Sequence, residues 1–308
     1  MLRYQQRRLP GERCTNELIN MKINILDPEQ IFSKNKTIEE IATASAKIYE
    51  SKTVLGVDIY KYSEYSSIQQ MYIPVLFEIL YRSAITNCLK QEALIFQKYS
   101  KDVDNFKTNF ISTGDGGFQI FDNPLEAIVF SIYFQLHIKR FNSGVDPTAT
   151  EGLRRLRELI GKIELRYAIT IDKVYGFNNN FYGTAIINNA RILSKDNLNR
   201  LLIDENVLDW FDSKINSIEN LTEITTANFP DIDFFSSYNL KLDTGIFGNK
   251  FIKTVDVLKI GTIKVKNTEL KIYNLHLQAG LFSGKKEQNK KYRFYSMTLG
   301  NLNTKGIE

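Results

Sequence analysis

The chain has 308 residues, 43% hydrophobic and 24% charged, which excludes a protein disordered throughout because there is ample apolar side chain to bury. Forty Lys and Arg against 35 Asp and Glu give a net charge of +5, a mild excess that suits small anionic ligands and is too weak for a nucleic-acid binder. Two Cys, far apart, and two His exclude a disulfide framework, a Cys-based zinc site and a His-rich metal centre, and point to a reduced, cytoplasmic setting.

The N-terminus, MLRYQQRRLPGER, is basic and lacks the apolar core of a secretory signal, so it reads as a tail. Residues 37–50 predict a helix, with apolar positions at helical spacing behind Thr37 and Glu40. TVLGVDIY follows as an apolar strand ending in a carboxylate. A long helical stretch runs over 66–99, which Pro74 should kink or restart. Residues 107–121 read as a hairpin around Gly-Asp-Gly-Gly, expected as a type I′ turn. Asn123 and Pro124 open a helix containing the uncharged run 127–138, too short for a membrane span of roughly 20 residues.

After a loop over 143–152 comes a short charged helix, whose Arg154, Arg155 and Arg157 read as a solvated face. Residues 163–172 alternate as a half-buried strand, GFNNNFYG reads as a loop, and TAIINNARILSKD as a helix. A strand and short helix follow in LLIDENVLDWF, then a polar insertion over about 213–250. Three strand-like runs (FIKTVDVLKI, GTIKVK, LKIYNL) precede an exposed basic tail over 279–308. The order predicts an α+β fold with a central, mostly antiparallel sheet flanked by helices and N- and C-terminal extensions. The division is a tail and leading helix over 1–50, a catalytic domain over 51–278 and the tail over 279–308.

Two carboxylates stand out by context. Asp58 ends the strand VLGVD and Asp115 sits in the turn TGDGG. Converging, they would suit a hard divalent ion, which takes one or two carboxylates plus substrate phosphates. The plainer reading is an Asp capping its own strand end and an ordinary hairpin Asp-Gly, and both stand at this point. Arg191, eight residues after Gly183 among apolar and amide neighbours, is suited to charge developing on a transferring phosphoryl group. His137 sits in a helical run and His276 after a strand; a Ser-His-Asp triad would have to use one of them.

These segments, in order over 52–277, resemble the class III nucleotidyl cyclases. GVDIYKYSEYS is similar to their first metal motif and STGDGGFQIF to their second metal turn. LRYAITIDKVYG followed by FYGTAIINNARIL resembles their dimer-arm strand and the helix bearing the transition-state Arg, and LKIGTIKVKNTELKIYNL their closing strands. Within the family the chain looks closest to the pyrimidine cyclases of bacterial Pycsar anti-phage systems.

The resemblance implies that Asp58, Asp115 and the Ile59 carbonyl hold two divalent cations, Mg²⁺ or Mn²⁺. Residues 59–63, including Tyr60, Tyr62 and Ser63, would contact the triphosphate. Arg191 would stabilise the pentavalent phosphorus. The family Asn falls on Ile187, so Asn188, one place on, is the candidate replacement. The adenine-reading Lys and Asp are replaced by Ile111 and Asn180. Ile111 offers no hydrogen bond, while Asn180 offers both donor and acceptor. Tyr60, Tyr62 and Phe181 either fill the space left by a smaller base or pack the sheet.

The expected activity is cyclisation of UTP, or CTP, to the 3′,5′-cyclic nucleotide with release of pyrophosphate. A purine cyclase and a non-catalytic nucleotide-binding module are the alternatives. The implied assembly is a homodimer with shared sites. With no effector domain fused, a separate effector would read the product in anti-phage defence. Neither nucleic acid nor a membrane span is expected.

Overall fold

The computed structural model describes residue 27 and residues 36–46, 48–93, 95–144, 149–214, 252–265, 268–283 and 293–307. The basic N-terminal tail, most of the insertion at 213–250 and the lysine-rich run 284–292 lie outside these. Seven α-helices and nine strands are described: α1 (Ile38–Ala46), β1 (Glu50–Ile59), α2 (Ser67–Gln91), α3 (Val103–Lys107), β2 (Phe110–Ser112), β3 (Gly116–Phe121), α4 (Pro124–Ser143), α5 (Glu151–Ile160), β4 (Leu165–Phe177), β5 (Asn180–Tyr182), α6 (Thr184–Lys195), β6 (Leu201–Asp204), α7 (Glu205–Lys214), β7 (Ile252–Val265), β8 (Thr268–Ser283) and β9 (Arg293–Leu299).

The strands form one sheet in the order β2-β3-β1-β4-β6-β8-β7, with β5 added to β4 and β9 to β8. Only the β4–β6 pairing is parallel among the described strands, so the mostly antiparallel α+β sheet is as expected.

Local chemistry starts the helices. Thr37 and Glu40 exchange side chain-to-backbone bonds ahead of α1, and Ser66 with Gln69 closes a capping box ahead of α2. The Asn123 side chain accepts from Glu126 N–H with Pro124 in the first turn of α4.

α2 runs unbroken through Pro74, so the proline does not start a new segment. Proline supplies no N–H to the carbonyl four residues back. Here that carbonyl, of Gln70, accepts the Tyr62 hydroxyl at 3.0 Å, and the Gln70 amide donates to the Tyr62 carbonyl at 3.3 Å. The bond missing from the helix is replaced by a side chain from the preceding turn.

Three further expectations are corrected. GFNNNFYG is a hairpin, not a loop: β4 runs on to Phe177 and β5 starts at Asn180. Asn178 and Asn179 both take positive φ, 50° and 57°, the geometry that a two-residue turn matched to strand twist demands. The first two of the three terminal runs are the single strand β7, bulged between Lys259 and Gly261. The C-terminal stretch is no free tail: β9 pairs with β8 from Leu277 to Ser283, and Leu299 and Ile307 are buried. Apolar residues in that stretch cover an otherwise open strand edge, which outweighs its basic composition.

The sheet has two unlike faces. Leu55, Val57 and Ile59 of β1 and Tyr167 and Ile169 of β4 face α2 and α4 in the main core. Its centre is aromatic: Phe77 and Tyr81 stack, and edge-on or tilted pairs join them to Phe130 and Phe134, and Phe130 to Phe106 and Phe121, with Phe106 and Phe130 rings 5.2 Å apart. The opposite face carries α6. Its closeness depends on Gly56, where a Cβ would lie 1.9 Å from Asn189 Oδ1 and 2.7 Å from Leu193 Cδ1.

Candidate functional site

Asp58 ends β1 on the face that carries α6, because it shares strand parity with Gly56. Directly across the ladder on β4 stands Arg166. Its Nη2 and Nε both donate to Asp58 Oδ2, at 2.6 and 2.9 Å, and its Nη1 donates to the Asp196 carbonyl at 2.6 Å. The pair is about one-fifth exposed.

Asp115 reaches the same end of β1 through the hairpin turn. The turn has positive φ at Gly114, 100°, and not at Asp115, which fits a II′ rather than the expected I′ turn. Gly116 pairs with Asp58, and a Cβ there would sit 2.1 Å from the Val57 carbonyl. Only glycine lets the turn press so closely on β1. Ile59 N–H donates to the Asp115 carbonyl at 3.1 Å and locks turn to strand.

Burial pushes the Asp58 carboxyl above its usual range, Arg166 pulls it down, and the charge of Asp115 raises it again. The main-chain bond from Ile59 to Asp115 and the pairing of Gly116 with Asp58 place both carboxylate-bearing residues at one strand end. No group of three or more His, Cys, Asp or Glu side chains able to hold a metal forms among the described residues. Two carboxylates with main-chain oxygen nearby are hard donors. They fit Mg²⁺ or Mn²⁺ that takes its remaining ligands from water and a polyphosphate.

The remaining expected residues are placed as follows. The Tyr60 hydroxyl donates to the Asn197 carbonyl at 3.2 Å, and Ser63 is exposed in a 3₁₀ turn after Lys61. Tyr62 packs on the main core and Phe181, 8% exposed, is buried with Val54, Ile120, Val174 and Ala185. Both therefore take part in packing. Ile111 packs against that same small cluster, so it and Asn180, exposed beside Phe181, flank one apolar patch.

On α6 the buried residues are Ala185, Asn189, Ile192 and Leu193, while Ile187 is 48% exposed. Arg191 Nη1 donates to Asn188 Oδ1 at 3.3 Å, so these two share a partly exposed face turned away from the sheet. Asn189 is structural: its amide donates to the Val54 and Ala168 carbonyls at 2.8 and 2.9 Å. Neither histidine joins the site. His137 Nε2 lies 2.9 Å from the Asn87 amide, and His276 Nδ1 lies 3.2 Å from Asp256 Oδ2 across β7–β8.

Arg166 is the residue that sequence reasoning missed. It occupies an outward position of an alternating strand, and nothing in the pattern distinguishes it from a surface Arg. Only strand register sets it opposite Asp58.

No family model matches the chain, and no curated protein matches it. Solved structures do. An adenylate/guanylate cyclase/hydrolase from Silicibacter pomeroyi is 13% identical, covering 73% of this chain and 96% of its own, with a TM-score of 0.39. The adenylyl cyclase CyaB from P. aeruginosa is 14% identical, covering 74% and 95%, also at 0.39. A dimeric guanylyl cyclase domain of the RhoGC fusion protein from Blastocladiella emersonii is 14% identical, covering 74% and 96%, again at 0.39. No described helix is long and apolar enough to cross a membrane.

Proposed function

We propose that the chain is a nucleotidyl cyclase acting on a pyrimidine nucleoside triphosphate, UTP ahead of CTP. The observation that supports it most is the pair Asp58 and Asp115, brought to one strand end by a glycine turn bonded to β1. A purely structural turn gains nothing from two facing carboxylates.

In this reading Asp58, Asp115 and the Ile59 carbonyl hold two divalent ions. Bound there, these would neutralise the triphosphate and favour the ribose 3′-oxygen as its alkoxide. Arg166, fixed between Asp58 and Asp196, adds a permanent positive charge at the same strand end. The 3′-oxygen attacks the α-phosphorus as its proton passes to solvent, the bond to pyrophosphate breaks, and the cyclic ester forms. Arg191 offsets negative charge on the phosphorus in transition, with Asn188 steadying its guanidinium.

Asp58 points to the sheet face beneath α6, and Arg191 lies on the side of α6 turned away from it. Two copies arranged about a twofold axis would bring the Arg191 of each to the carboxylates of the other, giving two shared sites. Ile111 and Asn180 in place of a Lys–Asp pair disfavour adenine, because a base whose polar groups go unpaired is rejected strongly. The product would act as a second messenger in anti-phage defence, read by a separate effector protein.

The test is initial rates with UTP, CTP, ATP and GTP at equal concentration with Mn²⁺, followed by mixing of Asp58→Ala and Arg191→Ala chains. A pyrimidine cyclic nucleotide and partial recovery of activity in the mixture are expected. A preference for ATP or GTP of about tenfold, 1.4 kcal/mol of transition-state binding, overturns the base assignment and the defence role with it. No cyclic product from any nucleotide overturns the cyclase.

A further inference from the structure

The stretch 196–200, between α6 and β6, is held from two sides. Toward the carboxylates, the Asp196 carbonyl accepts from Arg166, the Asn197 carbonyl accepts from Tyr60, and the Asn199 amide donates to Glu164 Oε2 at 2.7 Å. Toward the C-terminus, the agent is Arg200, 1% exposed. Its Nε and Nη2 donate to Asp196 Oδ1 at 3.0 and 2.7 Å, and its Nη1 donates to the carbonyls of Lys305 at 2.6 Å and Asn303 at 3.3 Å.

The C-terminal stretch is itself anchored. The Asn274 amide donates to the Asn301 and Asn303 carbonyls, at 2.6 and 3.3 Å. Ile307 donates its N–H to the Ile260 carbonyl, with its side chain buried beside Ile260 and Ile263. An unbroken line of bonds therefore joins residues 303–305 to Arg200, Asp196, Arg166 and Asp58.

We propose that Arg200, braced by residues 303–307, is a positioning residue that sets the orientation of the Asp58 carboxylate through Asp196 and Arg166. The proposal rests on the reading of Asp58 as a metal-holding carboxylate. Both Arg166 bonds to Asp58 fall on one oxygen, so the place of the guanidinium fixes the carboxylate rotamer. That place is set in turn by the Asp196 carbonyl. Asp196 cannot drift while its side chain is tied to a buried guanidinium whose Nη1 is held by two carbonyls of the C-terminal main chain. A site for a small hard ion tolerates only about 0.5 Å of misplacement, so the far end of this line is felt at the near end.

The experiment measures Mn²⁺ binding to the full chain by electron paramagnetic resonance, alongside thermal unfolding. Arg200→Lys keeps the charge that neutralises Asp196 and cannot reach the carboxylate and both carbonyls together. It should weaken Mn²⁺ binding about tenfold while the chain remains folded. In an Arg166→Ala chain the same change should add nothing, because the line is already cut. Ile307→Ala, which loosens only the C-terminal anchor, should weaken binding about threefold, and it carries the test if Arg200→Lys fails to fold.

Unchanged Mn²⁺ affinity in a folded variant overturns the proposal. So does a loss that persists undiminished beside Arg166→Ala, or Mn²⁺ binding indifferent to Asp58→Ala. A chain whose Mn²⁺ binding needs Asp58 but which cyclises no nucleotide defeats the cyclase reading and leaves this measurement decisive.

Discussion

On the face of the sheet covered by α2 and α4, the buried side chains are mostly apolar, with Gln119, bonded to the Tyr81 hydroxyl, and Ser131 among the exceptions, and rings of six aromatic residues interlock over β1 and β3. On the face covered by α6, the same strands present Asp58, Arg166 and Thr170, and the helix brings the buried Asn189 against Gly56. The apolar clusters there are small, and the Asn189 amide is bonded to two strand carbonyls. Burying polar groups costs free energy unless each is paired, whereas burying rings stabilises without that condition. The first face supplies stability, and the second retains groups that stability alone would not select.

The sharpest break of that contrast is at the carboxylates. Asp58→Ala and Asp115→Ala should each lower turnover about ten-thousandfold, 5 to 6 kcal/mol of barrier, with the fold retained. Full activity in either purified variant would remove the metal-holding role. Next comes the opposite face. Phe130 is fully buried against Tyr81, Phe106, Phe121 and Phe134. Phe130→Ala should cost about 3–5 kcal/mol in denaturant unfolding, with nucleotide turnover retained in the molecules that stay folded.

Asn189→Ala sharpens the comparison from the polar side. It strips donors from two strand carbonyls and should cost about 1–3 kcal/mol, less than the ring. A larger loss than that of Phe130→Ala would reverse the assignment of the two faces.

The smallest effect concerns pH. Asp204 caps α7 by accepting from Val207 N–H, and its burial pushes the carboxyl up to about 7, against the opposing pull of two backbone bonds. Because the folded value is raised, this contribution to stability is full below the unfolded value near 4 and is lost as pH rises through 7. Unfolding free energy should therefore rise by about 1 kcal/mol between pH 8 and pH 6 on this account. Asp204→Asn should flatten that part of the profile; an unchanged slope would assign it to other groups.

The elements legible in the sequence are those specified within a few residues. Thr37 with Glu40, and Asn123 with Pro124, announce helix starts because a cap is made by its own neighbours. The Gly-Asp-Gly-Gly turn and the alternation in 163–172 gave their strands for the same reason. The candidate carboxylates were legible because both adjoin such local signals.

What tertiary structure alone decided are features made between segments distant in the chain. Pro74 stays within α2 because Tyr62, outside the helix, serves the carbonyl that proline leaves unpaired. The basic C-terminal stretch becomes a strand and an anchor because β8 offers an open edge and Arg200 needs carbonyl partners. Arg166 meets Asp58 across 108 residues of chain, through the register of two antiparallel strands. Register depends on the whole hydrophobic pattern and its turns, so no window of neighbouring residues contains it.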